Sequence, residues 1–271
     1  MFIPEGVSNV PLFLALGAVA AALFSMAKAG FGGSVALLST PLMIYAAGDS
    51  KLALGIMLPM LIAADYAAAI SWLRQWDLRQ AMRLLPGMLV GVAAAWGLMA
   101  YLKSVEAASS QRVSDGAMRL AVGVVALAFV GLQVLRWLRK DSLAFRPSGW
   151  HSAGFGTLAG ATSTLAHAAG PVVAMYLLPQ QMPKGRYVAT TAIVFWVLNQ
   201  VKLVPYACLG MVNSQTLGAG LILLPAVVAG AVLGVLLHRR LGNRQFTGII
   251  YVLLALTGAQ LIFEGVQKLT G

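Results

Sequence analysis

Lys28-Ala29-Gly30-Phe31-Gly32-Gly33-Ser34 interrupts an apolar run that begins near residue 10, and the run then resumes to Ser39-Thr40-Pro41. A second interruption, Gly160-Ala161-Thr162-Ser163-Thr164-Leu165-Ala166-His167-Ala168-Ala169-Gly170-Pro171, repeats the design with hydroxyls in place of glycines. Gly30 and Pro41 recur 130 residues later as Gly160 and Pro171, Asp65 falls opposite Asn199 at an offset of 134, and Gly91 falls opposite Gly230 at 139. The pattern predicts a duplicated chain with halves at residues 1–140 and 147–271. The join is the basic stretch from Arg139 to Arg146, followed by Pro147-Ser148-Gly149. Five segments per half is an odd number, so the halves are expected to be inverted repeats around a midplane site.

Outward from these breaks, apolar runs fall at about 10–29, 33–47, 51–73, 84–103, 117–137, 150–166, 169–182, 186–208, 216–238 and 246–266. A helix needs about 20 apolar residues to cross the hydrocarbon core. Most runs satisfy this, whereas 33–47 and 169–182 are short and follow the two breaks. Backbone leaves helical geometry at membrane depth only where protein or a cavity surrounds it. The expected fold is therefore an all-α polytopic membrane protein with eight to ten transmembrane segments and broken or re-entrant short helices at the midplane. Composition points the same way: of 271 residues, 59% are hydrophobic and 10% charged, with a mean hydropathy of +0.83. A soluble domain needs more charge to cover its surface.

The net charge of +11 does not indicate nucleic acid, because the basic residues sit in short loops between apolar runs. One set of loops holds Arg74, Arg79 and Arg83, then Arg136, Arg139, Lys140 and Arg146, then Lys184 and Arg186, then Arg239, Arg240 and Arg244: twelve in all. The other holds five: Lys51, Lys103, Arg112, Arg119 and Lys268. The positive-inside rule assigns the twelve to the cytoplasm and both termini to the outside. Trp72, Trp76, Trp137 and Trp150 flank the basic loops as interfacial aromatics. Met1-Phe2-Ile3-Pro4-Glu5 lacks the cationic start of a secretory signal, so the first apolar run reads as mature protein.

The candidate site lies at the breaks. A helix restarting near Ser34 points free N–H groups and its positive dipole end at Gly30, Gly32 and Gly33, a setting for an anion, and Lys28 stands beside it. The alternative role of these glycines is close helix packing. In the second half, Thr162, Ser163 and Thr164 offer hydroxyls, and His167 is the one histidine within an apolar segment. Asp65, Asn199 and Lys202 lie inside long apolar helices. A charge at mid-span costs about 2.5–3.5 kcal/mol even on the lenient insertion scale, so such residues face the interior with partners. Asp65 is expected to pair with Lys28 or Lys202, leaving one positive charge for an anionic substrate. Asp65 and His167 are also candidates for proton coupling. No second histidine or cysteine stands at metal-ligand spacing, and Cys208 is alone, so no metal or other cofactor is expected.

At these residues the sequence resembles the sulfite exporter TauE/SafE family, over about Phe13 to Phe263. The first half matches through Lys28-Ala-Gly-Phe-Gly-Gly, Pro41, Leu58-Pro59 with Asp65, Trp76-Asp77 and Leu85-Pro86-Gly87. The second matches through Ser163-Thr-Leu-Ala-His-Ala-Ala-Gly-Pro171, Tyr176-Leu-Leu-Pro179, Ala189-Thr-Thr191 and Asn199 with Lys202, Tyr206 and Leu209-Gly210. Ala169 departs from the pattern, where glycine is expected. The resemblance implies a multi-pass protein of a bacterial inner membrane that carries sulfite or organosulfonates such as sulfoacetate, usually outward. An anion channel, or a transporter of small carboxylates, fits the same residues. An intramembrane enzyme does not: Ser163 precedes His167 by four residues, but no acid follows on that face. The expected partners are a small anionic substrate and the lipid bilayer, with a homodimer left open.

Overall fold

The computed structural model describes residues 3–4, 6–31, 36–108, 111–139, 148–180, 182–240 and 244–270, and every regular element among them is helical. The first half runs α1 (Val10–Phe31), α2 (Ser39–Ala47), α3 (Ser50–Ser71), α4 (Leu78–Ala108) and α5 (Gln111–Arg139). The second runs α6 (Gly149–Ala166), α7 (Ala169–Leu177), α8 (Lys184–Cys208), α9 (Ser214–Arg240) and α10 (Arg244–Thr270). Stretches of α1, α3, α4, α5, α8 and α9 are long and apolar enough to cross a bilayer, and the chain is a multi-pass membrane protein. Leu221, Val228 and Val232 of α9 and Val252, Leu256 and Phe263 of α10 are exposed. An apolar exterior of this kind is what lipid covers.

The two short runs become helices of nine residues each. At 1.5 Å per residue that is about 14 Å, under half of the ~30 Å hydrocarbon core. Each doubles back along the helix before it. Tyr176 Oη in α7 lies 2.9 Å from Ser152 Oγ in the first turn of α6 and donates to Gln80 Oε1 at 3.1 Å. The end of α2 reaches α5 and α10, where Arg119 donates to the Gly48 carbonyl at 2.6 Å and Tyr45 donates to Glu264 at 3.3 Å. A capping carboxylate then restarts the chain: Asp49 Oδ1 accepts from Leu52 N at 2.8 Å. Burial pushes the Asp49 carboxyl above its usual range.

Glycines set how the long helices pair. A Cβ on Gly230 would lie 2.3 Å from the Ala22 carbonyl oxygen, and one on Gly234 2.4 Å from that of Met26, so α1 and α9 run parallel in backbone contact. The pair α4 and α6 repeats this, with Gly87 2.3 Å from Ala153 O and Gly91 2.0 Å from Thr157 O. In the antiparallel pair α5 and α10, Gly116 faces Gly265 and Gly123 faces Gly258. Small residues permit such approach where no hydrophobic force between helices operates in lipid. Between these pairs α3 and α8 cross the centre antiparallel, with Leu54 and Leu58 against Tyr206 at one end and Trp72 against Gly185 at the other.

These contacts sort the ends of the bundle. Gly185 beside Trp72 and Gln75, with Asp77 N donating to Thr190 Oγ1 at 2.9 Å, brings the α3–α4 and α7–α8 connections together with Arg74, Arg79, Arg83, Lys184 and Arg186. Lys103 Nζ donates to Leu209 O at 3.1 Å at the other end. There Asp115 also accepts from Ser50 N at 2.8 Å and pairs with Arg119 at 2.8 Å and Lys268 at 2.5 Å. Arg74, Arg79, Arg83, Lys184 and Arg186 thus stand at one end, and Lys103, Arg119 and Lys268 at the other.

Gly91→Ala is expected to cost about 1–3 kcal/mol through overpacking against Thr157. Gly97, with open space where its Cβ would stand, should tolerate alanine and gain up to about 1 kcal/mol of helix propensity. Thermal unfolding in detergent measures both; equal effects would mean that the α4–α6 contact is not close.

Candidate functional site

Asp65 is fully buried in the C-terminal half of α3, and its two oxygens are claimed by different helices. Oδ1 pairs with Lys28 Nζ of α1, and Oδ2 accepts from Asn199 Nδ2 of α8 at 2.5 Å. Lys28 also stands 5.3 Å from the centroid of the Phe195 ring, close enough for a cation–π attraction. Phe195, Asn199 and Lys202 follow one another at four and three residues, so one face of α8 carries all three. This spacing was the signal in the sequence for Phe195, which inspection of polar residues alone passes over.

Lys202 is fully buried and makes its bonds to the tip of the α6–α7 hairpin. Its ammonium donates to Ser163 O at 3.1 Å and Ser163 Oγ at 2.9 Å, and meets His167 Nδ1 at 2.9 Å. An ammonium has three N–H donors, and these three contacts use them. With Nδ1 accepting, the imidazole proton belongs on Nε2, which lies 3.1 Å from the Leu54 carbonyl of α3.

His167 ends α6 in the left-handed region, φ 51°, with its own N–H on Ser163 O and the Ala168 N–H on Thr162 O. Glycine usually fills this cap position, and a non-glycine residue there costs of order 1–3 kcal/mol. The ring contacts to α3 and α8 are what the histidine supplies in return, so this cap joins the hairpin tip to both central helices.

A cavity of about 20 Å³ sits at this junction. Phe24 and Lys28 of α1, Met57 and Leu61 of α3, Phe195 and Asn199 of α8, and Ser163, His167, Ala169 and Gly170 of the second hairpin line it, together with Ala36 beside the first break. Gly170 and Ala169 open α7, whose first N–H groups are free of helical partners. Asp65 and Lys202 stand behind the lining, each bonded to residues within it. The cluster holds two lysines and one carboxylate.

The structure therefore brings Lys28, Asp65, Ser163, His167, Asn199 and Lys202 together. It separates others from them. Thr162 Oγ1 donates to Leu158 O at 2.7 Å and Thr164 Oγ1 to Gly160 O at 2.8 Å, so these hydroxyls serve their own helix. Thr164 still joins the network through its carbonyl, which accepts from Tyr206 Oη at 2.7 Å. Gly30 packs on α9, where a Cβ would meet Gly234 O at 2.3 Å; close packing is the role this contact gives it. Gly32, Gly33 and Ser34 lie outside the described residues. Among the described residues no cluster of metal-ligating side chains is present.

The family model described as Sulfite exporter TauE/SafE matches residues 13–261. No curated protein and no solved structure matches.

Lys28→Met strands the Asp65 carboxylate in an apolar interior, and breaking a buried pair this way costs about 3–5 kcal/mol. Adding Asp65→Leu should recover most of that loss. A double-mutant cycle by thermal unfolding measures the coupling; additive losses would mean the two side chains do not interact.

Proposed function

On the premise that the chain belongs to the sulfite exporter TauE/SafE family, we propose that it is a secondary transporter of small sulfur oxyanions, sulfite or organosulfonates such as sulfoacetate, working outward by alternating access. The observation that carries this is the excess of one buried lysine over the carboxylate where a hairpin tip meets α1, α3 and α8. Buried charge in a membrane protein is costly enough that an unmatched cation implies an anionic occupant. Ser163 and Asn199 add neutral polar groups, and the start of α7 adds N–H donors.

Helix pairing supports inverted repeats at residues 1–140 and 147–271. Exchanging the halves turns the parallel pair α1 and α9 into the parallel pair α6 and α4. It also exchanges Gly116 with Gly258 and Gly123 with Gly265, both offset by 142, across the antiparallel pair α5 and α10. Asp65 and Asn199, opposite one another in the two halves, touch, as residues on a pseudo-two-fold axis would. In this reading the α1–α2 and α6–α7 hairpins enter from opposite faces.

The cavity admits a water-sized group. An anion with three oxygens is larger, so the tips must move to receive it, which favours alternating access over an open pore. The end with Arg74, Arg79 and Arg83 faces the cytoplasm by the positive-inside rule, in a bacterial inner membrane. Membrane potential then drives export, since each negative charge leaving a negative interior gains about 2.3 kcal/mol per 100 mV.

Flux into liposomes of purified protein, screened with sulfite, sulfate, thiosulfate, sulfoacetate and small carboxylates, tests the reading. Saturable transport of a sulfur oxyanion is expected. Lys202→Met should weaken its binding tenfold to a hundredfold, the worth of a charged hydrogen bond of about 1.5–3 kcal/mol. Flux that never saturates would make the protein a channel, and preference for carboxylates would overturn the substrate class.

A further inference from the structure

We propose, resting on the transporter reading above, that a dianionic substrate is carried together with one proton held on Asp65, whereas a monoanion is carried without one.

The inference starts from the charge of the site. With both lysines protonated and Asp65 ionised, the site carries two positive charges and one negative, so the cluster accepts one further negative charge and becomes neutral. A dianion leaves it one unit negative in an apolar centre. An uncompensated buried charge is among the costliest groups a protein can hold, and a proton removes it.

Geometry selects where that proton goes. Lys28 and Asn199 line the cavity, while Asp65, which they hold between them, is fully buried behind. An anion entering the cavity competes with Asp65 for the Lys28 ammonium. When Lys28 turns to the anion, Oδ1 of Asp65 loses its partner and Oδ2 keeps Asn199. A proton from solution on Oδ1 neutralises the carboxyl and leaves Oδ2 able to accept from Asn199. No covalent bond between heavy atoms changes. One dianion and one proton enter a site of charge +1, and the total is zero.

The groups around Asp65 leave few other places for the proton. Lys28 faces it from α1, and Asn199 and Lys202 from α8. From the α6–α7 tip comes His167, whose ring nitrogens are engaged by Lys202 and the Leu54 carbonyl. The α9 helix meets α3 through Gly220 against Pro59 and Ile56. Asp49, Asp115, Arg119, Glu264, Lys268 and Tyr45 cluster at the far end of α3 around Ser50. Ser50 is fifteen residues before Asp65 in the same helix, about 22 Å along its axis.

Isothermal titration of the purified full chain in two buffers of different ionisation heat counts the protons taken up. Sulfoacetate, and sulfite at a pH where it is the dianion, serve as dianions, and methanesulfonate serves as the monoanion. The wild type should take up about one proton per dianion, and dianion affinity should fall about tenfold for each pH unit of increase, the slope that linkage assigns to one proton. Methanesulfonate should show neither effect. Asp65→Asn leaves a site of charge +2, so it should bind the dianions with no proton uptake and no pH slope. Should that variant fail to fold, the wild-type proton count and slope still decide. Dianion binding without proton uptake, equal uptake with methanesulfonate, or uptake retained in Asp65→Asn overturns the proposal. A wild type that binds none of the three anions overturns the transporter reading itself, a separate result.

Discussion

Two lysines and one carboxylate are buried together in the interior. Each of the two charged groups facing one another, Lys28 and Asp65, is tolerable only because the other is there, and Asn199 satisfies the oxygen that Lys28 leaves over. Among the described residues no carboxylate bonds Lys202; serine and histidine groups satisfy its protons instead. Neutral acceptors meet hydrogen-bonding capacity without cancelling charge. The site is therefore saturated in hydrogen bonds while two lysines share one carboxylate among the described residues.

The helix pairs make that arrangement attainable. Backbone contact at Gly230 and Gly234, and at Gly87 and Gly91, draws α1 onto α9 and α6 onto α4. The helices that lead into the two breaks are thereby fastened to the outer frame, and α3 and α8 are left to meet at the centre. Nine-residue helices after the breaks are too short to cross, and they return along α1 and α6. The tip of the α6–α7 hairpin is consequently a place where a left-handed residue, His167, stands against α3 and α8 rather than facing lipid. Helix packing and site chemistry draw on the same small residues, and Gly30 shows the division of labour: it belongs to a motif that reads as an anion cradle, yet its Cα faces Gly234 of another helix.

Much of this was legible in the residue order. The hydrophobic runs marked the long helices, and the two interruptions marked the short ones, because 14 or 15 apolar residues fall below the about 20 that a straight crossing needs. Lys28, Asp65, Asn199 and Lys202 stood out because charged or amide groups in apolar helices are rare. Thr162 and Thr164 were equally polar by type but bond back to Leu158 and Gly160 of their own helix, a local option open to any serine or threonine in a helix and invisible to a reading by residue type. Phe195 was passed over for the opposite reason, since an aromatic in an apolar segment stands out only by its spacing from Asn199 and Lys202, which puts it on their helix face.

The sequence alone determined the class of protein, the two breaks, the segregation of basic residues and the presence of more buried cations than anions. It could do so because the cost of placing charge in hydrocarbon is large and depends only on which run a residue occupies. Tertiary structure alone decided that Lys28 rather than Lys202 takes Asp65, that His167 ties the hairpin tip to α3 and α8, and that Gly30 serves α9. Those outcomes depend on distances between residues from 35 to more than 200 positions apart, set by how closely glycine-bearing helices approach, and nothing in the local pattern around either partner encodes them.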